Sequence, residues 1–273
     1  MTFPTYPPPQ VEPPLDPRQS LPTMYDLPSE DPKEPGLPDI FHLDQPQLLE
    51  FTFLPPGWDT EQVFTASDLN LYYDLTQPRW HKRPDWFAAV GVPRLYEGRD
   101  LRLSYVVWQE RVNPFVVVEL LSPGTEDEDL GRNVQQAGKP PTKWQVYEQI
   151  LRIPYYFVFS RYTDELRAFH LVGGHYEPIE LMDERLFIPE LQLSLGLWQG
   201  TYKSMNRLWL RWFTHQGGLI LTPGERATTA EQQLIVSQQQ LTESQQQVLA
   251  SQQREEILAA RLRELGIDPE QLV

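Results

Sequence analysis

The chain contains no cysteine. Disulfides, thiolate zinc sites, iron–sulfur clusters and cysteine nucleophiles are thereby excluded, and a reducing cytoplasm fits. No apolar run approaches the roughly 20 residues that a bilayer-spanning helix requires. The N-terminus has neither the basic start nor the apolar core of a signal peptide. A soluble cytoplasmic protein without membrane contact is expected. Glycine-rich phosphate loops, dinucleotide fingerprints and serine elbows are missing as well. The five histidines (His42, His81, His170, His175 and His215) are scattered without metal-ligand spacing.

Positive charge is also scarce. The net charge of -15 speaks against a nucleic-acid partner, because phosphate binding favours a basic surface. Its distribution softens that reading. Acids crowd the first 60 residues against only Arg18 and Lys33. Residues 79–111 instead carry Arg79, Lys82, Arg83, Arg94, Arg99, Arg102 and Arg111 against Asp85, Glu97, Asp100 and Glu110. The acidity is peripheral, and the neighbourhood of Asp85 is basic.

What is present supports one good-sized folded domain with appendages. The chain has 273 residues, 40% of them hydrophobic and 12% aromatic, enough for a real core. Fifteen of the 27 prolines lie within the first 56 residues. Proline removes backbone donors and fixes φ, so residues 1–58 are expected as a proline-rich, largely disordered arm. A folded domain over residues 59–222 opens with a short helix between Asp59 and Tyr73. The runs PDWFAAVGV (84–92), LRLSYVVWQE (101–110) and NPFVVVELLS (113–122) read as strands, apolar on both faces and suited to the middle of a helix-covered sheet. Thr142 caps a helix to about Arg152, with Trp144, Tyr147, Ile150 and Leu151 at helical spacing. YYFVFSR (155–161), LRAFHLV (166–172) and HYEPIEL (175–181) read as strands, and a helix is expected over about Tyr202 to Phe213. Strands, then a helix, then strands again describe a layered α/β or α+β core.

Residues 223–273 form a glutamine-rich tail. Ser237, Ser244 and Ser251 each open a Ser-Gln-Gln repeat seven residues apart, and Leu234, Leu241, Val248 and Leu262 share one register. Serine at the second seam position buries little, so a long, exposed helix with at most a weak coiled coil is expected, and a homodimer through it is conceivable. Gly266 and Pro269 are its stop signals.

Glu119 carries the chemistry. A charge between Val116-Val117-Val118 and Leu120-Leu121 is costly to desolvate unless paired or metal-bound. It either ligates a cation or sits at the strand's exposed end beside an arginine. Asp85, after Pro84, either marks a strand start or supplies the second carboxylate. Two acids on adjacent strands can grip one hard divalent cation. Lys143, sharing a helical face with Tyr147, is the cationic helper that phosphodiester cleavage needs, with Lys139 as rival. His81, close to Asp85, is a candidate phosphate contact. The acidic run Glu126–Asp129 reads as a solvated loop or helix start.

At these residues the chain resembles the Uma-type restriction endonucleases, a bacterial group of the PD-(D/E)XK nuclease superfamily. The resemblance rests on Pro84-Asp85-Trp86, on Val118-Glu119-Leu120-Leu121-Ser122-Pro123-Gly124-Thr125, on Asp129-Leu130-Gly131, and on Lys143 to Tyr147 followed by Ile153-Pro154-Tyr155-Tyr156. It implies a restriction-endonuclease-like α/β core, a mixed sheet flanked by helices, followed by a long C-terminal helix. It also implies DNA phosphodiester hydrolysis with Mg²⁺, for which Mn²⁺ can substitute. By position, Asp85 and Glu119 become metal ligands with the Leu120 carbonyl as a third, and Tyr147 lines the site. The superfamily lysine normally lies two residues beyond the second acid, where this chain has Leu121, so Lys143 becomes its counterpart. Two features depart from the group. The usual Glu-Leu-Ile-Asp-Gly type hairpin is not recognisable around residues 59–75, and the connection from Gly131 to Lys143 is long. A competing reading is a catalytically degenerate nuclease fold that serves as a protein-interaction module.

Overall fold

The structure, a computed structural model, describes residues 39–122, 126–133 and 138–266. It divides into two units, residues 1–220 and 221–273. In chain order the first unit begins with α1 (Phe41–Thr52), a 3-10 turn (Thr60–Gln62), β1 (Val63–Ala66), β2 (Leu71–Tyr72), β3 (His81–Lys82) and β4 (Trp86–Val90). Then follow β5 (Tyr105–Val106), α2 (Val107–Glu110), β6 (Val116–Leu120), α3 (Glu126–Asp129) and α4 (Lys143–Gln145), which runs on as a π-helical turn over Val146–Ile150. The strands β7 (Tyr155–Ser160), β8 (Glu165–Val172), β9 (His175–Ile179), β10 (Arg185–Ile188), β11 (Leu193–Tyr202) and β12 (Met205–Thr214) complete it.

A mixed six-stranded sheet in the order β1-β4-β6-β7-β8-β9 is the centre. β6 runs antiparallel to β4 and parallel to β7, so the chain between β6 and β7 must cross over, and α3 and α4 ride on that crossover. Every residue of β4, β6 and β7 is buried, as strands apolar on both faces require. Alternate side chains serve different cores. Trp86, Val118 and Phe157 pack with Phe41, Leu48 and Leu49 of α1 and with Leu195 and Trp212 of the β10-β11-β12 sheet. Phe87, Val117 and Tyr156 point the other way, against Val146, Tyr147 and Leu151.

The structure corrects several expectations. The disordered arm does not extend to residue 58, because Phe41–Thr52 is a helix with Phe41, Leu48 and Leu49 buried. Asp39 caps it, its Oδ1 accepting from the Phe41 and His42 amides. The Gln45 side chain makes two hydrogen bonds to one residue of β12, accepting from the Leu210 N–H at 2.8 Å and donating to its carbonyl at 2.9 Å. Proline content conceals this helix, since its stability comes from contacts far along the chain. The rest of the arm, residues 1–38, lies outside the described residues. The helix expected between Asp59 and Tyr73 shrinks to the 3-10 turn, with β1 and β2 following. Of LRLSYVVWQE only Tyr105–Val106 is strand, and α2 follows at once.

The segment expected as a helix over Tyr202 to Phe213 is β12, paired along ten residues with β11. A continuous apolar run reads equally as buried helix or buried strand. The turn decides it. Lys203 and Ser204 both adopt positive φ, which makes a tight two-residue hairpin that lacks the usual Gly or Asn signal.

The second unit contains α5 (Pro223–Glu264), capped by a Thr222–Glu225 box and without a single buried residue. Gly266 takes a left-handed φ after its end, and Pro269 lies outside the described residues.

Candidate active site

The register of β4 on β6 pairs Trp86 with Val118 and Ala88 with Val116. One step further, Pro84 would face Leu120, but proline has no N–H to offer the ladder. The strands part there, and the Pro84 carbonyl accepts from Asp68 N instead. The Asp85 side chain fills the gap, its Oδ2 accepting from the Leu120 N–H at 2.6 Å. The Asp85 N–H in turn donates to Glu119 Oε2 at 3.3 Å. A proline that ends the ladder thus folds one carboxylate back beside the other.

Glu119 is fully buried. Tyr147 donates its hydroxyl to Oε1 at 2.8 Å, and Lys143 Nζ lies 3.1 Å from Oε2. The Thr142 cap starts α4 at the residue that sends Lys143 toward the sheet, and the π turn delivers Tyr147 to the same carboxylate. Lys143 also donates to Asp129 Oδ1 at 2.8 Å. The structure therefore brings together Asp85, Glu119, Lys143 and Tyr147.

Asp129 is the residue that sequence reasoning missed. It is 1% exposed, whereas Glu126 and Asp127 are solvated, so the solvated reading of this run fails at its last member. Four consecutive acids give no hint which of them turns inward. Tyr156 holds Asp129 by donating its hydroxyl to the Asp129 carbonyl at 2.8 Å. Glu128 pairs with Lys82 at 3.1 Å.

Three carboxylates here face one ammonium. Burial pushes the Asp85 and Glu119 carboxyls up, Glu119 far above the ordinary range, against the pull of Lys143. Burial opposes charge on Lys143 too, but Glu119, Asp129 and Asp85 outweigh it and hold the ammonium protonated well above its usual value. His81 is not drawn in: it is exposed, packs on the Tyr72 ring and contacts the Arg79 carbonyl. Lys139 is exposed. Of the basic stretch, Arg83 pairs with Asp68, Arg94 with Glu50 and Arg102, deeply buried, with Glu110.

Residues 24–204 match the sequence model of a family named Uma2 and described as "Putative restriction endonuclease". The match covers well over half of the chain. The chain belongs to the Uma2 family. Its fold is accordingly α/β and restriction-endonuclease-like, the mixed sheet being the Uma2 core and the long helix following the matched segment. No curated protein matches the chain. Among the described residues no helix is long and apolar enough to cross a membrane. Also among them, no three His, Asp or Glu side chains converge as a ready-made metal cage. Of the stretch VELLSPGT, Pro123, Gly124 and Thr125 lie outside the described residues.

Gly131 ties the acidic turn to this site. Its φ is +69°, and a Cβ there would come within 2.6 Å of the Trp144 ring, next to Lys143. Gly131→Ala is expected to cost about 2–4 kcal/mol from left-handed strain and crowding. The midpoint of urea unfolding measures it, and an unchanged midpoint would contradict the close packing.

Proposed function

We propose that this Uma2 protein is a metal-dependent DNA endonuclease. Lys143 and Tyr147 converging on the carboxylate of Glu119, with Asp85 beside it, is the observation that carries the reading. The donor set fits Mg²⁺ or Mn²⁺. Carboxylate oxygens are hard donors, and the buried Glu119 and Asp129 with the half-buried Asp85 face a single ammonium, an acidic cluster that a divalent cation would complement. Mg²⁺ keeps several waters and commonly uses one or two carboxylates, so a full protein cage is not needed. Asp85 and Glu119 would hold the metal, with the Leu120 carbonyl as third donor. When bound, such a cation acidifies a water and polarises the scissile phosphate.

The remaining work falls to the chain's own groups. Lys143, kept protonated by its three acidic neighbours, is poorly suited to take a proton from water. It stabilises the negative charge that develops on the phosphate. Tyr147 fixes Oε1 of Glu119, and Oε2 turns toward Lys143 and the Asp85 N–H. With Arg102 buried against Glu110, contacts to the DNA backbone fall to the exposed Arg79, Arg83, Arg94, Arg99 and Arg111. Cutting both strands needs a homodimer, and the exposed apolar register of α5 (Leu234, Leu241 and Val248) is the surface that would make one by weak coiled-coil pairing.

Titrating Mn²⁺ into wild type and Asp85→Ala, alongside Mn²⁺-dependent nicking of plasmid DNA, tests the reading. Wild type is expected to bind and nick, and Asp85→Ala to lose both. No binding at millimolar metal would favour the degenerate interaction module, a reading that the net charge of -15 supports.

A further inference from the structure

The Leu120 carbonyl lies on the edge of β6 that faces β4, at the point where Pro84 leaves it without a backbone donor. A side chain from α1 supplies one. His42 Nε2 is 3.1 Å from the Leu120 oxygen. The same ring's Nδ1 is 2.9 Å from Asp39 Oδ1, and Arg161 Nη2 is 2.7 Å from the other Asp39 oxygen. A carbonyl and an ionised carboxylate only accept, so both ring nitrogens carry hydrogens and the ring has one orientation that satisfies both.

The His42 side chain is 2% exposed, and its support reaches across the fold. Asp39 caps α1, Arg161 follows β7, Gln45 anchors the helix to Leu210 of β12, and Lys203 in the β11–β12 turn pairs with Asp44 at 2.6 Å. Leu120 is consequently held twice, its N–H by Asp85 and its carbonyl by His42. One ring nitrogen of His42 is thus committed to the peptide that follows Glu119, and the other to the Asp39 carboxylate that orients the ring.

We infer that His42 is a positioning residue of the metal centre. By donating to one lone pair of the Leu120 oxygen, it fixes that carbonyl so that the second lone pair serves as the third metal donor beside Asp85. Asp39 and Arg161 orient the ring. The inference rests on the reading of Asp85 and Glu119 as metal ligands. It predicts that the donor at the Nε2 position matters and the one at Nδ1 alone does not suffice.

Glutamine reaches about as far as Nε2, and asparagine about as far as Nδ1. Mn²⁺ affinity of the full-length chain, measured by calorimetry or by the paramagnetic resonance of free Mn²⁺, is compared in wild type, His42→Gln and His42→Asn, with melting temperatures in chelator alongside. His42→Gln is expected to stay within about threefold of wild type, and His42→Asn to weaken binding on the order of tenfold, the usual scale for a partner that orients a ligand. Should His42→Asn fail to fold, Asp39→Asn, which keeps the helix cap but loosens the ring, is expected to weaken Mn²⁺ at least about threefold. Unaltered affinity in His42→Asn (or in Asp39→Asn) overturns the inference, and so do equal losses in the Gln and Asn variants that merely follow their melting temperatures. A wild type that binds no Mn²⁺ overturns the metal reading and the inference with it, whereas the other two outcomes leave that reading standing.

Discussion

Lys143→Met should unfold far more easily than wild type. Among the described residues Lys143 Nζ is the one cation in contact with both Glu119 and Asp129, at 3.1 and 2.8 Å, and both carboxylates are almost wholly buried. Methionine keeps most of the apolar stem and removes the charge together with the N–H donors to Glu119 and Asp129. Asp85, Glu119 and Asp129 are then left with no ammonium among them. Breaking a buried pair from one side typically costs about 3–5 kcal/mol, because the remaining charge keeps its desolvation penalty. For a chain of this size that corresponds to a fall in melting temperature on the order of 10 °C. Protonation of the carboxylates relieves the repulsion, so the deficit should shrink as pH is lowered. Thermal melts in chelator across pH measure both effects. A variant melting within a degree or so of wild type at neutral pH would show that the lysine does not neutralise this cluster.

Glu119→Gln should separate stability from activity. The amide keeps the shape and a hydrogen-bonding oxygen for Tyr147 while removing the buried ionisable carboxyl. Loss of a metal ligand and of the partner of Lys143 is expected to reduce Mn²⁺-dependent nicking by at least about 10³-fold, some 4 kcal/mol of barrier. Metal-free stability should hold or rise. The pH dependence follows from the same cause. Burial raises the Glu119 and Asp85 carboxyls in the folded chain above their ordinary values of 4.5 and 3.8. A raised group contributes stability that is complete below its unfolded value and lost as pH climbs through its folded one. Metal-free wild type should therefore lose stability as pH rises above these ordinary values, and Glu119→Gln should flatten that slope. Lys143 stays charged throughout, since its folded value lies above 10.5. Metal affinity should run the opposite way, rising with pH as the ligands ionise. Melting curves that fall more steeply with pH in Glu119→Gln than in wild type would reverse the assignment.

The contrast between helix α1 and strand β6 shows where the sequence was legible. VVVEL announces both its strand and its oddity, because a charge among β-branched residues has no cheap place in a sheet. Proline before Asp85 likewise marks the end of a ladder, and Thr142 with Gln145 marks a helix start. These signals are local, carried by backbone donors and side-chain volume within a few residues. Asp129 carried no such mark beyond its place in the Asp129-Leu130-Gly131 resemblance, and Gly131 there packs against the Trp144 ring. His42 carried none either. It lies in a proline-rich stretch, and its position is set by Gln45 meeting Leu210, 165 residues away.

From the sequence come the central strands and the exposed terminal helix, read from short-range patterning, and Glu119 as an ill-placed charge, while Asp85, Lys143 and Tyr147 are candidates that lean on Glu119 and on the family resemblance. Only the tertiary structure decided that Leu208 to Phe213 is strand rather than helix, that the fourth acid of the EDED run turns inward, and that a histidine stands behind the Leu120 carbonyl. Those outcomes depend on which distant surfaces meet and exclude water, and that free energy belongs to the packed whole rather than to any window of the chain.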